Sequence, residues 1–422
     1  MLVNGRGLFK ILLMIVVTQA SFFLFDLYDF REIRKRGVLY VRTLQALGLT
    51  AIVLSVLFYL FPEMLFGRGV FLISMLFMLS TMILWRLFVI WLLGHPKLAE
   101  RVLIVGTESN AIGLARETLE RPEQGYKIVG FVGDDPKLVG QSLINPRVLG
   151  LTDDLQEIVS RYHVGRIVLA INERRGRMPL DSLIEMKLRD GLAIEEADSF
   201  YERLTGKVST GTLRPSWLIF SGPSRRHVFY GQLRRLLDVS LSVVGFVLSI
   251  PIMAVTVIAI KLDSRGPILY RQTRVGQRNQ NFTIMKFRSM QVDAEPDGAV
   301  WAEEDDPRIT RVGRIIRKLR IDELPQFINI IRGEMAFVGP RPERPEFVAQ
   351  LERQIPYYSQ RHLVKPGLTG WAQIRYPYCA SVEDAVQKLQ YDLYYIKNQS
   401  LLLDVITLFE TVRIVLFGRG AR

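Results

Sequence analysis

Val239-Ser-Leu-Ser-Val-Val-Gly-Phe-Val-Leu-Ser-Ile-Pro-Ile-Met-Ala-Val-Thr-Val-Ile-Ala-Ile260 is the stretch on which the architecture turns. It carries no charge and is long enough to cross a bilayer core as a helix, which takes about 20 apolar residues. Two features argue against a simple crossing. Arg234 and Arg235 precede it and Lys261 and Arg265 follow it, so basic residues hold both ends on the cytoplasmic side. Pro251 lies at its middle, where it removes a helical hydrogen bond and bends the backbone. Ser249 stands ready to satisfy a freed group. The expectation is a helical hairpin that enters and leaves the same leaflet over residues 239–260.

Upstream, residues 207–226 hold Pro215, Gly222 and Pro223 among scattered polar residues and are expected to be a linker. Before it, residues 100–206 alternate short apolar strands with helical stretches, the pattern of a small parallel sheet. Strands are expected at Val102–Val105, Ile128–Gly133 and Ile167–Ile171. The turn Gly106-Thr-Glu-Ser-Asn-Ala-Ile-Gly113 has the outline of a dinucleotide loop, but Glu108 takes the middle glycine position and would repel a pyrophosphate. The sheet is therefore expected to be architectural or regulatory. The sequence also argues against a nucleotide-sugar dehydratase or epimerase of the short-chain type. Such an enzyme needs a Tyr with Lys four residues on, and none of the 15 Tyr has one.

At the N-terminus three runs, residues 8–27, 38–61 and 70–93, each have the length and purity of a transmembrane helix. Arg31, Arg34, Lys35 and Arg36 crowd the first loop, while the second carries only Arg68, which places the first loop and everything after Leu93 in the cytoplasm. The net charge of +13 points to anionic lipid or phosphorylated substrates in a chain tied to a membrane. Cys379 is the only cysteine and the four His are scattered, so neither a disulfide nor a thiolate metal site is expected.

Downstream come three clusters. Tyr270-Arg-Gln-Thr-Arg-Val-Gly276 and Phe282-Thr-Ile-Met-Lys-Phe-Arg-Ser-Met290 read as paired strands. Period two sets Lys286 and Arg288 on one face, suited either to phosphate or to a solvated basic edge. Arg320-Ile-Asp-Glu-Leu-Pro-Gln326 reads as a helix start near Asp322, with Pro325 in the first turn. Asp322 could simply cap that helix. Alternatively, kept ionised beside Arg320, it could attack phosphorus and form an acyl phosphate, with Glu323 holding Mg²⁺. Met335-Ala-Phe-Val-Gly-Pro-Arg-Pro342 makes a stiff turn around Arg341, and Lys365-Pro-Gly-Leu-Thr-Gly-Trp-Ala-Gln373 sets two glycines beside Trp371, which could stack on a base or be buried.

These motifs, with Arg234-Arg-Leu-Leu-Asp238, Arg271-Gln272 and Asp306-Pro-Arg-Ile-Thr-Arg311, follow one another as they do in the bacterial sugar transferases, which residues 225–422 resemble. Those are polyprenyl-phosphate hexose-1-phosphate transferases, or monotopic phosphoglycosyl transferases. The N-terminal part is similar to the large form of the family, and Phe200–Val208 with Trp217 fits its exopolysaccharide subgroup. The implied fold is a membrane α/β protein. It has N-terminal transmembrane helices, a degenerate Rossmann-like domain and a mainly helical monotopic catalytic domain (227–422) with a re-entrant helix. The implied reaction moves a sugar-1-phosphate from a UDP-sugar to polyprenyl (undecaprenyl) phosphate, releasing UMP, as the first step of a polysaccharide repeat unit.

By that resemblance Asp322 is the nucleophile and Glu323 its partner, the two holding Mg²⁺. Arg271, Gln272, Lys286, Arg288, Arg320 and Arg341 serve the phosphates and nucleotide, and Ser249 and Pro251 set the membrane bend. Leu401–Phe417, with Asp404, Glu410 and Arg413 on a polar side, would lie at the interface. The implied location is the bacterial inner membrane, multi-pass, with the catalytic domain in the cytoplasm. Membrane lipid is a partner, nucleic acid is not, and a homodimer is left open. The sequence departs from the family in having three N-terminal helices where four are usual, and Ala336-Phe337 where Ser-Leu is usual. A non-catalytic membrane scaffold is the competing reading, and a nucleic-acid binder lacks any recognition signature.

Overall fold

The computed structural model describes residues 5–25, 27, 36–62, 68–93, 99–171, 180–189, 191–209, 228–292, 306–376 and 381–417. The chain divides into two compact units, Met1–Leu204 and Thr205–Arg422.

In the first unit the three apolar runs form α1 (Gly5–Leu24), α2 (Arg36–Leu60) and α3 (Arg68–Leu93). Among the described residues of this unit, Tyr40–Leu60 is long and apolar enough to cross a membrane; Phe9–Leu24 and Leu72–Trp85 are shorter apolar helices. The basic residues 31–35 of the first loop lie outside the described residues. The α/β part runs β1 (Glu100–Val105), α4 (Ser109–Leu119), β2 (Tyr126–Gly133), β3 (Val148–Leu151), α5 (Leu155–Tyr162), β4 (Arg166–Leu169), α6 (Leu180–Arg189), β5 (Ala193–Glu196) and α7 (Ala197–Thr205). The strands pair in parallel in the order β3-β2-β1-β4-β5.

Period-two alternation explains the layering. Val102 and Ile104 enter one core with Leu114, Phe131 and Phe200, while Leu103 and Val105 enter the other with Ile158, Ile167 and Met186. Helices thus cover both faces. Gly106 has φ +128°, and a Cβ there would lie 2.8 Å from the Ala170 carbonyl oxygen, so packing of the β1 and β4 ends suffices to require glycine.

The second unit begins with residues expected in a linker. The Val208 N–H donates to the Gln390 carbonyl (3.0 Å), and Gly206 accepts from Trp371 Nε1 (2.8 Å). Residues 206–208 therefore belong to the C-terminal fold, and 210–226 lie outside the described residues. The elements that follow are α8 (Val228–Asp263), β6 (Leu269–Val275), β7 (Asn281–Phe287), α9 (Arg311–Lys318), a 3₁₀ turn (Ile321–Glu323), α10 (Gln326–Arg332), β8 (Ala336–Val338), α11 (Pro345–Gln354), β9 (Gly367–Thr369), α12 (Trp371–Arg375), α13 (Val382–Lys397) and α14 (Leu401–Phe417).

α8 runs unbroken through Pro251, not as two helices joined by a turn, and the Ser249 hydroxyl donates to the Phe246 carbonyl at 2.9 Å. Its amphipathicity is inverted relative to a water-soluble surface helix. Asp238, Ser242, Ser249 and Thr256 are buried, whereas Val247, Leu248, Val255 and Ile258 are exposed. Both sides of Pro251 pack on the same body. Arg235 donates to the Ile330 and Ile331 carbonyls (2.6 and 2.7 Å), and Gly245 sits against the Phe327 ring. Beyond the proline, Met253, Val257 and Ile260 pack with Phe287, Ile316 and Ile321, and Asp263 accepts the Val312 N–H at 3.0 Å.

α14 repeats the inversion. Asp404 is buried on Tyr230 and Tyr395 (2.8 and 2.6 Å), while Leu402, Val405, Phe409 and Val412 face outward.

Candidate active site

Thr310 caps α9 by accepting the Gly313 N–H at 2.9 Å, and the helix ends at Lys318. Arg320 then takes the left-handed region, φ +57°, which costs a non-glycine residue on the order of 1 kcal/mol and is kept only where the surroundings over-determine it. That reversal launches the 3₁₀ turn, and Pro325 leads into α10. The helix expected from Asp322 onward thus starts three to four residues later. Neither the turn nor α10 has a side-chain cap hydrogen bond, so helix capping does not account for Asp322.

Asp322 and Glu323 are both buried, and their surroundings differ. Glu323 Oε1 receives Arg341 Nη2 at 3.0 Å, Lys286 Nζ at 3.3 Å and Arg320 Nη1 at 3.4 Å. Burial alone would push this carboxyl up, but Lys286, Arg341 and Arg320 together outweigh it and hold Glu323 well below the usual carboxylate range. For Asp322 the balance falls the other way. Burial first and the Glu323 charge second push its pKa up, and the same three cations offset this only in part. Arg320 acts on both carboxyls, reaching Glu323 at 3.4 Å and offsetting part of the upward push on Asp322. Two adjacent carboxyls are driven apart in proton affinity, one a fixed anion and the other a more basic oxygen.

Several elements converge to hold this geometry. Buried Asn329 on α10 accepts the Met285 N–H (3.1 Å) and donates to the Thr283 carbonyl (2.8 Å), tying the strand that carries Lys286 to the helix behind Glu323. The Arg341 segment is pinned at successive peptides. Gly339 N–H donates to Thr369, and the carbonyls of Pro340, Arg341 and Pro342 accept from Gly367 N–H, Arg361 and Arg274 at 2.9, 2.9 and 3.1 Å. Arg361 is itself buried on Asp392 at 3.0 Å. Two prolines fix φ on either side, so the guanidinium is aimed before any ligand arrives.

The structure brings Lys286, Arg320, Asp322, Glu323 and Arg341 together. Gln272 shares the Lys286 face of the hairpin, where it accepts from Arg274 Nη2 at 2.6 Å. Arg271 and Arg288 are placed elsewhere. Arg271 pairs with Met285, one residue out of step with Lys286, so it leaves on the opposite face and is exposed. Arg288 falls just after β7, where its guanidinium turns to the Ser264 and Arg265 carbonyls (2.8 and 2.9 Å) and braces the end of α8. Trp371 is buried, bonded to Gly206 and stacked on Tyr394, and so takes the buried alternative.

Arg274, Asn329, Arg361 and Asp392 were missed. Arg274 alone had a sequence signal, because period two sets it on the face of Gln272; the others carry no local motif.

Among the described residues no group of three or more His, Cys, Asp or Glu could hold a metal. Two neighbouring carboxylates nevertheless fit Mg²⁺, which is commonly held by one or two carboxylates plus substrate phosphates.

The profile described as "Bacterial sugar transferase" matches residues 229–418, which carry the whole cluster. A second, described as "CoA-binding domain", matches residues 24–186. An undecaprenyl-phosphate glucose phosphotransferase of Komagataeibacter xylinus is 32% identical, the alignment covering 86% of this chain and 72% of the relative. The chain belongs to the bacterial sugar transferase family. This sugar transferase is also 39% identical to a UDP-glucose:undecaprenyl-phosphate glucose-1-phosphate transferase of Escherichia coli strain K12, over 76% of this chain and 69% of the relative. It is 47% identical to a UDP-N-acetylgalactosamine-undecaprenyl-phosphate N-acetylgalactosaminephosphotransferase of Aeromonas hydrophila, over 52% of each chain. It therefore spans about half the length of that last relative.

Proposed function

We propose that this sugar transferase moves a sugar-1-phosphate from a UDP-sugar to undecaprenyl phosphate in two displacements, opening a polysaccharide repeat unit at the bacterial inner membrane. In the first, an Asp322 carboxylate oxygen attacks the phosphorus that bears the sugar. The bond from that phosphorus to the bridging oxygen breaks, and UMP leaves. In the second, a phosphate oxygen of the lipid attacks the same phosphorus, the acyl phosphate bond breaks and the carboxylate is restored. Lys286, Arg320 and Arg341 hold donor phosphate oxygens. Asp322 and Glu323 would hold Mg²⁺, which supplies neutralisation of the diphosphate charge.

The observation that carries this reading is the split carboxyl pair: Glu323 gathers Lys286, Arg320 and Arg341 at the site, and its neighbour Asp322 keeps a more basic oxygen with no capping duty. The contacts of α8 on both sides of Pro251 with one body, and its apolar outer face, support a helix that enters the membrane and returns, leaving the site cytoplasmic.

The test is Mg²⁺-dependent UMP release with polyprenyl phosphate present, together with trapping by labelled donor. Asp322→Asn is expected to lose turnover on the order of 10⁴-fold or more and to trap no label. Wild-type turnover in that variant, or lipid product without an adduct on Asp322, would refute the reading.

A further inference from the structure

Four residues before the apolar core of α8, Arg235 shares one space with Lys365, which lies just ahead of β9. An added Cβ on Gly333 would lie 3.4 Å from Arg235 Nη2 and 3.5 Å from Lys365 Nζ. Arg235 is committed to the α10 carbonyls, but among the described residues Lys365 has no hydrogen-bond or ion-pair partner. The charges that face it are Arg235, Asp238 and Arg234. Asp238 is engaged by the Phe337 N–H at 3.1 Å, and Arg234 by Asp404 at 3.3 Å. Burial first, and then Arg235, lowers the Lys365 pKa, as expected of a cation short of counter-charge.

Arg235 also lies on an open, mainly apolar face of α8 with Gly231, Gln232, Leu236 and Val239. A Cβ added to Gly231 would meet nothing within 4 Å. Two adjoining cations, of which Arg235 lies on the apolar face of α8 and Lys365 is the one without a partner among the described residues, match a phosphate ester joined to a hydrocarbon chain.

We propose that Arg235 and Lys365 hold the phosphate of an anionic phospholipid headgroup, with an acyl chain along the Gly231–Val239 stripe. The site is not the acceptor's reacting position, because α10, about 10 Å long at 1.5 Å per residue, separates Gly333 from the Asp322 end. The inference rests on the membrane entry of α8 but not on the chemistry of Asp322.

The full chain in neutral detergent micelles is titrated with phosphatidylglycerol, and binding is read by native mass spectrometry, which needs no turnover. Lys365→Gln is expected to weaken binding roughly fivefold, the worth of one lysine at an anionic surface. The exposed Arg353→Gln, an equal loss of charge, is expected to leave it unchanged. UMP release in neutral lipid should be the same in the Lys365→Gln variant as in wild type.

Equal losses from both variants would mean diffuse charge attraction and overturn the site, as would no loss from Lys365→Gln. Displacement of the lipid by inorganic phosphate would reduce it to a free-anion site. Phosphatidylglycerol binding that survives in Lys365→Gln while the KM for polyprenyl phosphate rises would assign the cations to the acceptor instead. Either result overturns the phospholipid.

Discussion

Asp322 and Glu323 are chemically near-identical and adjacent along the chain, yet they face opposite electrostatics. Arg341, Lys286 and Arg320 reach one oxygen of Glu323, so Asp322 feels burial and a neighbouring anion more than it feels the cations. Because attack requires the ionised form, adduct formation should fail on acidification at a pH above the ordinary aspartate range. Glu323→Gln removes the anion and leaves three cations beside Asp322, which lowers the Asp322 pKa. The acidic limb of single-turnover adduct formation is expected to move to lower pH in that variant, even as Mg²⁺ dependence weakens. An unmoved limb would mean that the titrating group is not Asp322.

At the scale of elements, Arg341 is held by backbone pressed against backbone. β8 and β9 are only three residues each, and Gly339 just after β8 meets Gly367 at the start of β9 and Gly370 just after it. A Cβ on Gly370 would clash with the Gly339 carbonyl oxygen, and one on Gly367 with the Gly339 nitrogen. Gly370→Ala is therefore expected to cost about 1–3 kcal/mol, the usual toll of overpacking, seen as a lower urea midpoint. UMP release should fall further than stability explains, because the turn displaced is the one that aims Arg341.

Legibility at this scale was uneven. The hairpin β6–β7 and the helix after Pro325 were readable from period and proline. The separation of Arg288 from Lys286 was not, because alternation predicts a face only while the strand lasts, and β7 ends at Phe287. Arg271 could have been placed opposite Lys286 only by knowing the register, which the turn at Gly276–Gln280 sets.

Over the whole molecule, Thr205–Arg422 is a compact unit with its own core around Leu351, Leu389 and Leu393, and it contains every residue of the site. A fragment of residues 205–422 in detergent is expected to release UMP at a rate comparable to the full chain. Loss of all activity in a fragment whose circular dichroism and cooperative unfolding remain intact would show that the N-terminal unit takes part in the chemistry.

The sequence by itself determined the apolar helices, the parallel sheet and the family, because these rest on local period, on hydropathy and on motifs a few residues long. Only the tertiary structure decided which carboxyl the cations serve, which basic residues stand outside the site, and that Arg361, Asp392 and Asn329 hold it together. Those facts depend on side chains from distant segments meeting in a low-dielectric interior. There a single hydrogen bond redirects a charge, and residue spacing along the chain carries no record of it.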